Sequence, residues 1–238
     1  MKRLISACVI SFSLAGIAGC AAVPLPSGAP LLVTSVHRPP SGLVNFCRAN
    51  KEQCSRDRAT APATAPAAAA WAAAPAAIDA TAVAAAPVDE RIVTLTHERL
   101  DELRRVNTEI NHRIRPGSDL EVFGRIDHWT DSTDVGDCDD YVMTKRAALI
   151  ARGWPPRSLL ILLADTERGE RHVVLLAVTD RGDMVLDNRF DVVLPWDRVG
   201  YHWIARQSPD DLLKWHRVAR PSKRKGRDRA TVLARRFP

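Results

Sequence analysis

The sequence predicts one α+β domain in which helices come first and an antiparallel sheet follows. Between residues 100 and 114, large apolar residues recur every three or four positions, which is the period of an amphipathic helix. After residue 157 the pattern changes to short apolar runs separated by polar turns, which is typical of strands joined in hairpins. Helices followed by strands indicate the α+β class, with the helices packed on the sheet. We place the folded domain at residues 88–216.

Both main helices have sequence signals at their ends. Thr96 precedes the first apolar period and can act as an N-cap, and Pro116-Gly117 ends this helix. A second helix is predicted directly behind Cys138, because residues 141–152 are mostly good helix formers. Gly153, followed by two prolines, ends it.

The strands are predicted from their apolar runs. They lie at residues 158–164, 172–179 and 184–187, with a short edge strand at 192–194. The polar turns between them favour antiparallel pairing of neighbours along the chain.

The N-terminus has the features of an export signal. Lys2 and Arg3 precede an apolar run over residues 4–17, which is too short to span a bilayer and has the composition of a secretory signal. The run ends in Ile17-Ala-Gly-Cys20, which resembles a bacterial lipoprotein lipobox; an ordinary cleavage site near a cysteine is the alternative. We predict a signal peptide at 1–19, lipidation of Cys20, and a chain exported and anchored in the bacterial cell envelope, facing the periplasm.

Four further segments are predicted outside the domain. Residues 20–45 contain Pro, Gly and Ser and are interpreted as a tether, and residues 46–58 hold a pair of cysteines. Residues 59–87 contain 18 Ala and 4 Pro; because the prolines interrupt any long helix, we interpret this segment as a linker or insert. Residues 217–238 form a basic tail.

Positive charge is concentrated in that tail. The total net charge is +6, and the tail together with Lys2 and Arg3 carries more than this, so the remainder is acidic. A solvated end is one interpretation of the tail, and binding to anionic lipid is the other. For a lipid-anchored, exported chain we expect no nucleic-acid partner.

The five cysteines divide by position. Cys8 leaves with the signal, and Cys20 takes the lipid. Cys47 and Cys54 are seven residues apart in an exported chain, which favours a local disulfide; a zinc site lacks further ligands at the required spacing. Cys138 is then unpaired, which makes it a candidate reactive thiol, the alternative being a small buried apolar residue.

Cys138, His172 and Asp187 are the candidate catalytic residues. Cys138 lies where an acidic loop meets the start of a helix, and the helix dipole there favours a thiolate, although the neighbouring carboxylates oppose it. His172 begins a strand and can act as the base, and Asp187 ends the next strand and can orient the imidazole. Taken singly, a structural role for His172 and a turn-forming role for Asp187 are the alternatives.

Three motifs carry a resemblance to a known family: Gly136-Asp-Cys-Asp-Asp-Tyr141, His172-Val-Val-Leu and Gly182-Asp-Met-Val-Leu-Asp-Asn188. They are similar to the bacterial transglutaminase-like cysteine peptidase family. Further similar elements are Asp127-His-Trp129, Leu103-Arg-Arg-Val-Asn107-Thr-Glu-Ile-Asn111, Tyr201-His-Trp-Ile204, and Phe46 with the cysteine pair. The resemblance covers nearly all of residues 42–209 apart from the Ala-rich segment. That segment, the basic tail and the short loop at 130–135 depart from the family pattern.

The resemblance implies a papain-like, transglutaminase-type core, with N-terminal helices packed on an antiparallel sheet. It makes Cys138 the nucleophile, His172 the general base and later acid, and Asp187 the orienting carboxylate. Better-studied periplasmic members of the family cleave surface adhesins, so it also implies a protein substrate, with a surface adhesin as the candidate.

The same better-studied members require calcium beside the catalytic motif, and Asp137 and Asp139 match the acidic positions there, so the resemblance also implies a candidate calcium site. A hard divalent cation prefers carboxylate oxygens and would offset the negative charge around the thiolate. An EF-hand does not fit, because Val135 and Val142 would fall at ligand positions. The alternative role of these aspartates is helix capping in a solvated loop.

Three functional hypotheses follow. The first is an envelope-located thiol peptidase that works through an acyl-enzyme. The second is a transamidase or amidase with the same triad, since the sequence does not decide whether water or an amine accepts the acyl group. The third is a non-catalytic envelope lipoprotein that binds a partner through Trp196, Trp203, Trp215 or the tail, although tryptophans at such positions are more often part of the core.

Overall fold

The computed structural model describes residues 24–54, 91–131 and 133–219. The predicted signal peptide, Cys20, the Ala-rich segment 59–87 and residues 220–238 of the basic tail lie outside these ranges. The helices are α1 (Ser41–Ala49), α2 (Lys51–Cys54), α3 (His97–Arg113), α4 (Asp119–Phe123) and α5 (Cys138–Ala151). Among the described residues, no helix has the length and apolar character needed to cross a membrane.

Seven strands form one sheet in the order β1-β9-β8-β4-β5-β6-β7, in which every neighbouring pair is antiparallel. They are β1 (Val33–His37), β4 (Leu159–Asp165), β5 (Arg171–Ala177), β6 (Met184–Leu186), β7 (Leu194–Pro195), β8 (His202–Ser208) and β9 (Asp211–Val218). A separate parallel pair joins β2 (Arg115–Pro116) to β3 (Val135–Gly136). The predicted α+β class with an antiparallel sheet is confirmed.

The centre of the sheet is buried on both faces, which explains its continuous apolar runs. Along β4, Ile161 and Leu163 belong to the core that contains α3 and α5, whereas Leu160 and Leu162 belong to a second cluster on the opposite face. This alternation is the two-residue period of a strand. A strand between two packed layers needs apolar side chains at every position.

The two long helices pack on the first face of the sheet. Thr96 caps α3, as predicted, by accepting a hydrogen bond from the Arg99 N–H at 3.2 Å. Leu103, Val106 and Ile110 lie on the buried side of α3, so the apolar period seen in the sequence marks its contact surface.

Residues 24–45 differ from the tether that the sequence predicts for residues 20–45. β1 forms one edge of the sheet by pairing with β9, and the buried Leu31 donates its N–H to Asp183 at 2.8 Å. α1 then buries Leu43 and Phe46 against the main core. The sequence does not reveal these contacts, because the segment has the proline and glycine content of a linker. The partners of Leu31 and β1 also lie more than 150 residues away.

The cysteine pair and the last strand complete the fold. Cys47 and Cys54 form the predicted disulfide, which joins α1 to α2. At the other end of the domain, β9 continues to Val218, so the first two residues of the predicted tail belong to the sheet. Buried and exposed residues do not alternate regularly along β9. Its sequence therefore lacks the apolar pattern that predicts a strand.

Candidate active site

The N-terminus of α5 positions Cys138 as the first residue of the helix. Asp137 is the N-cap, and its side chain accepts a hydrogen bond from the Asp139 N–H at 3.4 Å. The Asp140 carboxylate in turn accepts a hydrogen bond from the Asp137 N–H at 3.2 Å, which completes a capping box. The acidic residues around the cysteine therefore satisfy the free N–H groups of this helix end.

Gly136 is required by the close approach of Asp140. A Cβ atom at residue 136 would overlap the carboxylate and the Cβ atom of Asp140. The same carboxylate accepts the Thr130 N–H at 2.9 Å, so Asp140 ties the preceding loop to α5. Burial raises the pKa of Asp140 to about 7.

His172 and Asp187 are brought together by the pairing of β5 with β6. Asp187 follows directly after β6, and its Oδ1 atom lies 2.8 Å from Nε2 of His172. Both side chains are buried. Because Nε2 is bound to the carboxylate, Nδ1 is the ring nitrogen that can exchange a proton with a thiol.

Asp187 is bound at both oxygens. Besides His172, Oδ1 accepts the Arg189 N–H at 2.9 Å, and Oδ2 accepts the hydroxyl of Tyr201 at 2.8 Å. Burial raises the pKa of Asp187, but the hydrogen bond and charge of His172, with the Arg189 and Tyr201 donors, outweigh burial and leave the pKa lowered. The carboxylate is therefore held ionised in one orientation.

Cys138 lies against β5, next to the part of the strand that carries His172. The backbone N–H of Val173, the residue after His172, points at the sulfur and favours the thiolate. Burial acts in the opposite direction and raises the pKa of Cys138 strongly, and the charges of Asp137 and Asp139 raise it further. Cys138 thus lies against the residue that follows His172, in surroundings that oppose a free thiolate.

On the other side of the cysteine, three carboxylates converge. Asp119, Asp137 and Asp139 each place an oxygen within 4.8 Å of the others. Asp119 and Asp139 are buried, and in the described part of the chain neither Oδ1 atom has a hydrogen-bond partner. Burial, followed by the charges of Asp137 and its neighbours, raises the pKa of Asp139 to about 10. These are the oxygen ligands that a hard divalent cation prefers.

Asp119 is the residue of this cluster that the sequence analysis missed. It begins α4, which has its own capping box between Ser118 and Glu121. Its Oδ2 atom accepts the His128 N–H at 2.5 Å. Asp119 lies 18 residues before Asp137, and the acidic residues between them do not follow the spacing of a known metal-binding motif. No local pattern therefore distinguishes Asp119 from an ordinary solvent-exposed aspartate.

Two other motif elements have structural roles at this site. The amides of Asn107 and Asn111 on α3 donate to backbone carbonyls of the turn at 187–191. Trp129 is buried and donates from Nε1 to Asp127 at 2.8 Å. Asp127 also accepts the Gly42 N–H at 2.6 Å, so it joins the start of α1 to this loop.

A cysteine at a helix N-terminus facing a His–Asp pair on an antiparallel sheet defines the class of thiol enzymes with a papain-like or transglutaminase-like core. The sequence model of the bacterial transglutaminase-like cysteine proteinases matches residues 77–223. The chain belongs to this family of cysteine peptidases, and the match spans α3, α5 and strands β4 to β9. The comparison with curated proteins gives no match.

Among solved structures, the chain is similar to LapG from Legionella pneumophila. The first match has 22% identity and a TM-score of 0.39, and covers 44% of this chain and 63% of LapG. The calcium-bound form of LapG has 21% identity and a TM-score of 0.42, and the match covers 56% of this chain and 78% of that one. An EGTA-treated form is matched at 22% identity and a TM-score of 0.39, over 44% of this chain and 61% of that one.

Proposed function

We propose that this chain is a thiol peptidase in which Cys138 is the nucleophile, His172 the general base and acid, and Asp187 the orienting carboxylate. The observation that carries the proposal is the buried His172–Asp187 hydrogen bond of 2.8 Å near Cys138. Among the described residues, Cys138 is the cysteine that forms no disulfide. A His–Asp pair this well ordered next to a thiol matches what nucleophilic catalysis requires.

The proposed reaction has two halves. His172 takes the proton of the Cys138 thiol as the sulfur attacks the substrate carbonyl carbon, and the dipole of α5 favours the charge that develops. The C–N bond then breaks, and the imidazolium returns its proton to the leaving amine. Water, deprotonated by His172, attacks the thioester, which releases the acid and restores the thiol.

We further assign Asp119, Asp137 and Asp139 as residues that would hold a calcium ion. The fit rests on two buried carboxylate oxygens that have no hydrogen-bond partner in the described part of the chain, and on a set of oxygen donors. When bound, the cation would neutralise these carboxylates and so remove much of their opposition to a thiolate at Cys138.

The proposed location and substrate come from the N-terminal sequence and the family. A signal at 1–19 and a lipid on Cys20 would place the domain at the cell envelope, facing the periplasm. There it would meet exported proteins, and a surface adhesin is the candidate substrate. No membrane contact other than the lipid is part of this proposal.

Labelling with iodoacetamide at neutral pH tests the catalytic assignment. The mature chain, without the signal and with Cys20 lipidated, should label at one site, and Cys138→Ser should abolish the signal. His172→Ala should slow labelling by about a hundredfold, because proton removal by a positioned base is lost. Equal labelling rates for His172→Ala and wild type would show that this histidine does not activate the thiol.

Peptide-bond cleavage needs a separate measurement. Surface proteins of cells carrying wild type should be compared with those of cells carrying Cys138→Ser. We expect at least one surface protein to be full-length only in the variant. Identical profiles would contradict cleavage of surface proteins, and incorporation of a labelled amine into a surface protein would indicate transamidation instead.

A further inference from the structure

The helix that begins at Cys138 also carries a buried lysine. Lys145 is two turns along α5 from Cys138 and its side chain is 0% exposed. Its amino group lies 5.7 Å from the ring centroid of Tyr141, whose hydroxyl donates to the carbonyl of Ile114 at the end of α3. This face of α5 is therefore turned towards α3. Over the residues that the structure describes, Nζ of Lys145 has no hydrogen-bond partner.

Across from it, two asparagines of α3 hold the turn that carries the triad carboxylate. Nδ2 of Asn107 donates to the carbonyls of Phe190 and Asp191, both at 3.0 Å. Nδ2 of Asn111 donates to the carbonyl of Asp187 at 2.9 Å. Their Oδ1 atoms are buried, and neither has a donor within the described ranges.

The lysine and the two amide oxygens complement each other. An amino group is a donor and an amide oxygen an acceptor, and buried groups of this kind are nearly always hydrogen-bonded. Lys145 also lies close enough to the turn for Asp187 and Asp191 to raise its pKa, although burial is the larger influence and lowers the pKa to about 7. The amino group on α5 and the two amide oxygens on α3, which have no partner among the described residues, therefore lie near the same turn at 187–191.

We propose that Lys145 is a positioning residue: its amino group is linked to the side-chain oxygens of Asn107 and Asn111 through one buried water molecule, to which it donates. This network fixes the turn at 187–191 and thereby the orientation of Asp187 and of the His172 ring. The inference rests on the proposed function, because it is the triad that is positioned.

The neighbouring residue shows why a purely structural role is a poor explanation. Arg146 is also buried on α5, and its guanidinium donates to the carbonyls of Leu159 at 3.1 Å and Pro156 at 3.3 Å, away from the turn. That cation ties α5 to the start of β4. Packing alone would be served better by an apolar side chain than by a buried amine at position 145.

The test compares Lys145→Met with the matched variant Arg146→Met. Both replace a buried cation of the same helix by an unbranched apolar side chain. The first readout is the rate of iodoacetamide labelling of Cys138. The second is the downfield proton NMR signal of the imidazole N–H bound to Asp187, which Asp187→Asn identifies.

We expect Lys145→Met to slow labelling by about tenfold to a hundredfold, since small misplacements of reacting groups have effects of this size, and to shift or broaden the imidazole signal. Arg146→Met should lower the melting temperature but leave both readouts as in wild type. Combining Lys145→Met with Asn111→Leu should slow labelling no more than Asn111→Leu alone, because both act on one network.

Two results would overturn the inference: an unchanged imidazole signal in Lys145→Met, or equal losses of labelling rate in both methionine variants. If Lys145→Met does not fold, Lys145→Gln retains a donor and should keep the imidazole signal near that of wild type; loss of the signal in folded Lys145→Gln would also count against the network. Failure of the proposed function has a different signature, in which His172→Ala labels as fast as wild type.

Discussion

Two aspartates on either side of Cys138 are buried to nearly the same depth, yet their pKa values shift in opposite directions. Asp187 is 1% exposed and Asp139 is 6% exposed. Burial raises the pKa of both, but Asp187 has three hydrogen-bond donors and its pKa is lowered overall. Asp139 faces Asp137, Asp140 and Asp119, and its pKa is raised to about 10. The partners of a buried carboxylate, rather than its depth, decide its charge.

The comparison separates a completed half of the site from an incomplete one. The His172–Asp187–Tyr201 half satisfies its carboxylate with groups of the chain itself. In the Asp119–Asp137–Asp139 half, two buried carboxylate oxygens have no donor among the residues that the structure describes, and a proton or a cation would satisfy them. Because both halves act on the same sulfur, changes on either side should alter the thiol, but only one side should respond to calcium.

The largest expected effect separates the two halves by stability. In the presence of a chelator, Asp187→Ala should lower the free energy of unfolding by about 3–5 kcal/mol, because it leaves the donors of His172, Arg189 and Tyr201 without their acceptor in the interior. Asp139→Ala, the matched change on the other side, removes repulsion and should cost little. Urea denaturation measures both, and similar losses for the two variants would contradict the comparison.

Calcium should stabilise the acidic half alone. At a calcium concentration about 100 times its dissociation constant, the free energy of unfolding should rise by about 2.7 kcal/mol relative to chelator. The gain should disappear in Asp119→Asn and in Asp139→Asn, and should persist in Asp187→Ala. Melting curves with calcium and with chelator provide the measurement, and identical curves for wild type would rule out the ion.

The pH dependence without calcium should expose the raised pKa of Asp139. An aspartate of the unfolded chain loses its proton near pH 4, whereas Asp139 in the folded chain keeps it up to about pH 10. Between pH 5 and pH 7 the folded state thus binds one more proton, so the free energy of unfolding should fall by about 1.4 kcal/mol per pH unit as pH rises. Asp140 and Asp119 act in the same direction, since their pKa values are also raised.

Asp139→Asn is the control for this slope. It should flatten the fall in stability between pH 5 and pH 7, whereas Asp187 contributes nothing there because its lowered pKa acts only below pH 4. Calcium should flatten the slope as well, since it binds the ionised carboxylates. A slope that is unaffected by Asp139→Asn would show that other groups cause it.

The smallest expected effect lies within the completed half, and the two tyrosines of the chain form a matched pair for it. Tyr201→Phe removes the donor to Oδ2 of Asp187, and Tyr141→Phe removes the donor to the Ile114 carbonyl. Each should cost about 1 kcal/mol of unfolding free energy. Only Tyr201→Phe should also slow labelling of Cys138, by a few-fold. Equal labelling rates in the two variants would show that Tyr201 does not contribute to the reactivity of Cys138.

The sequence predicts the parts of this molecule that depend on local pattern. The apolar period of α3, the helix behind Cys138 and the runs of β4 to β6 are visible as such, and because consecutive strands pair, the meeting of His172 with Asp187 follows from their order. Thr96 was likewise predictable as a cap. In each of these cases the residues concerned are close in sequence or lie on neighbouring elements.

The remaining features depend on distant partners, which local pattern does not contain. Asp119 joins the acidic cluster only because α4 folds back onto the start of α5. Tyr201, which precedes β8, donates to Asp187, which follows β6, although β4 and β5 separate these two strands in the sheet. The apolar content of β1 is similar to that of a linker. Its partner β9 lies more than 170 residues further along the chain.

The docking of residues 24–54 has a consequence for how this protein can be built. β1 is held by β9, α1 is held at its start by Asp127, and the burial of Leu31 and Leu43 on opposite faces of the sheet adds to both. These contacts are noncovalent and independent of the connection through residues 55–90. We therefore expect the first segment to stay bound to the domain through these contacts when the chain is cleaved within residues 55–90.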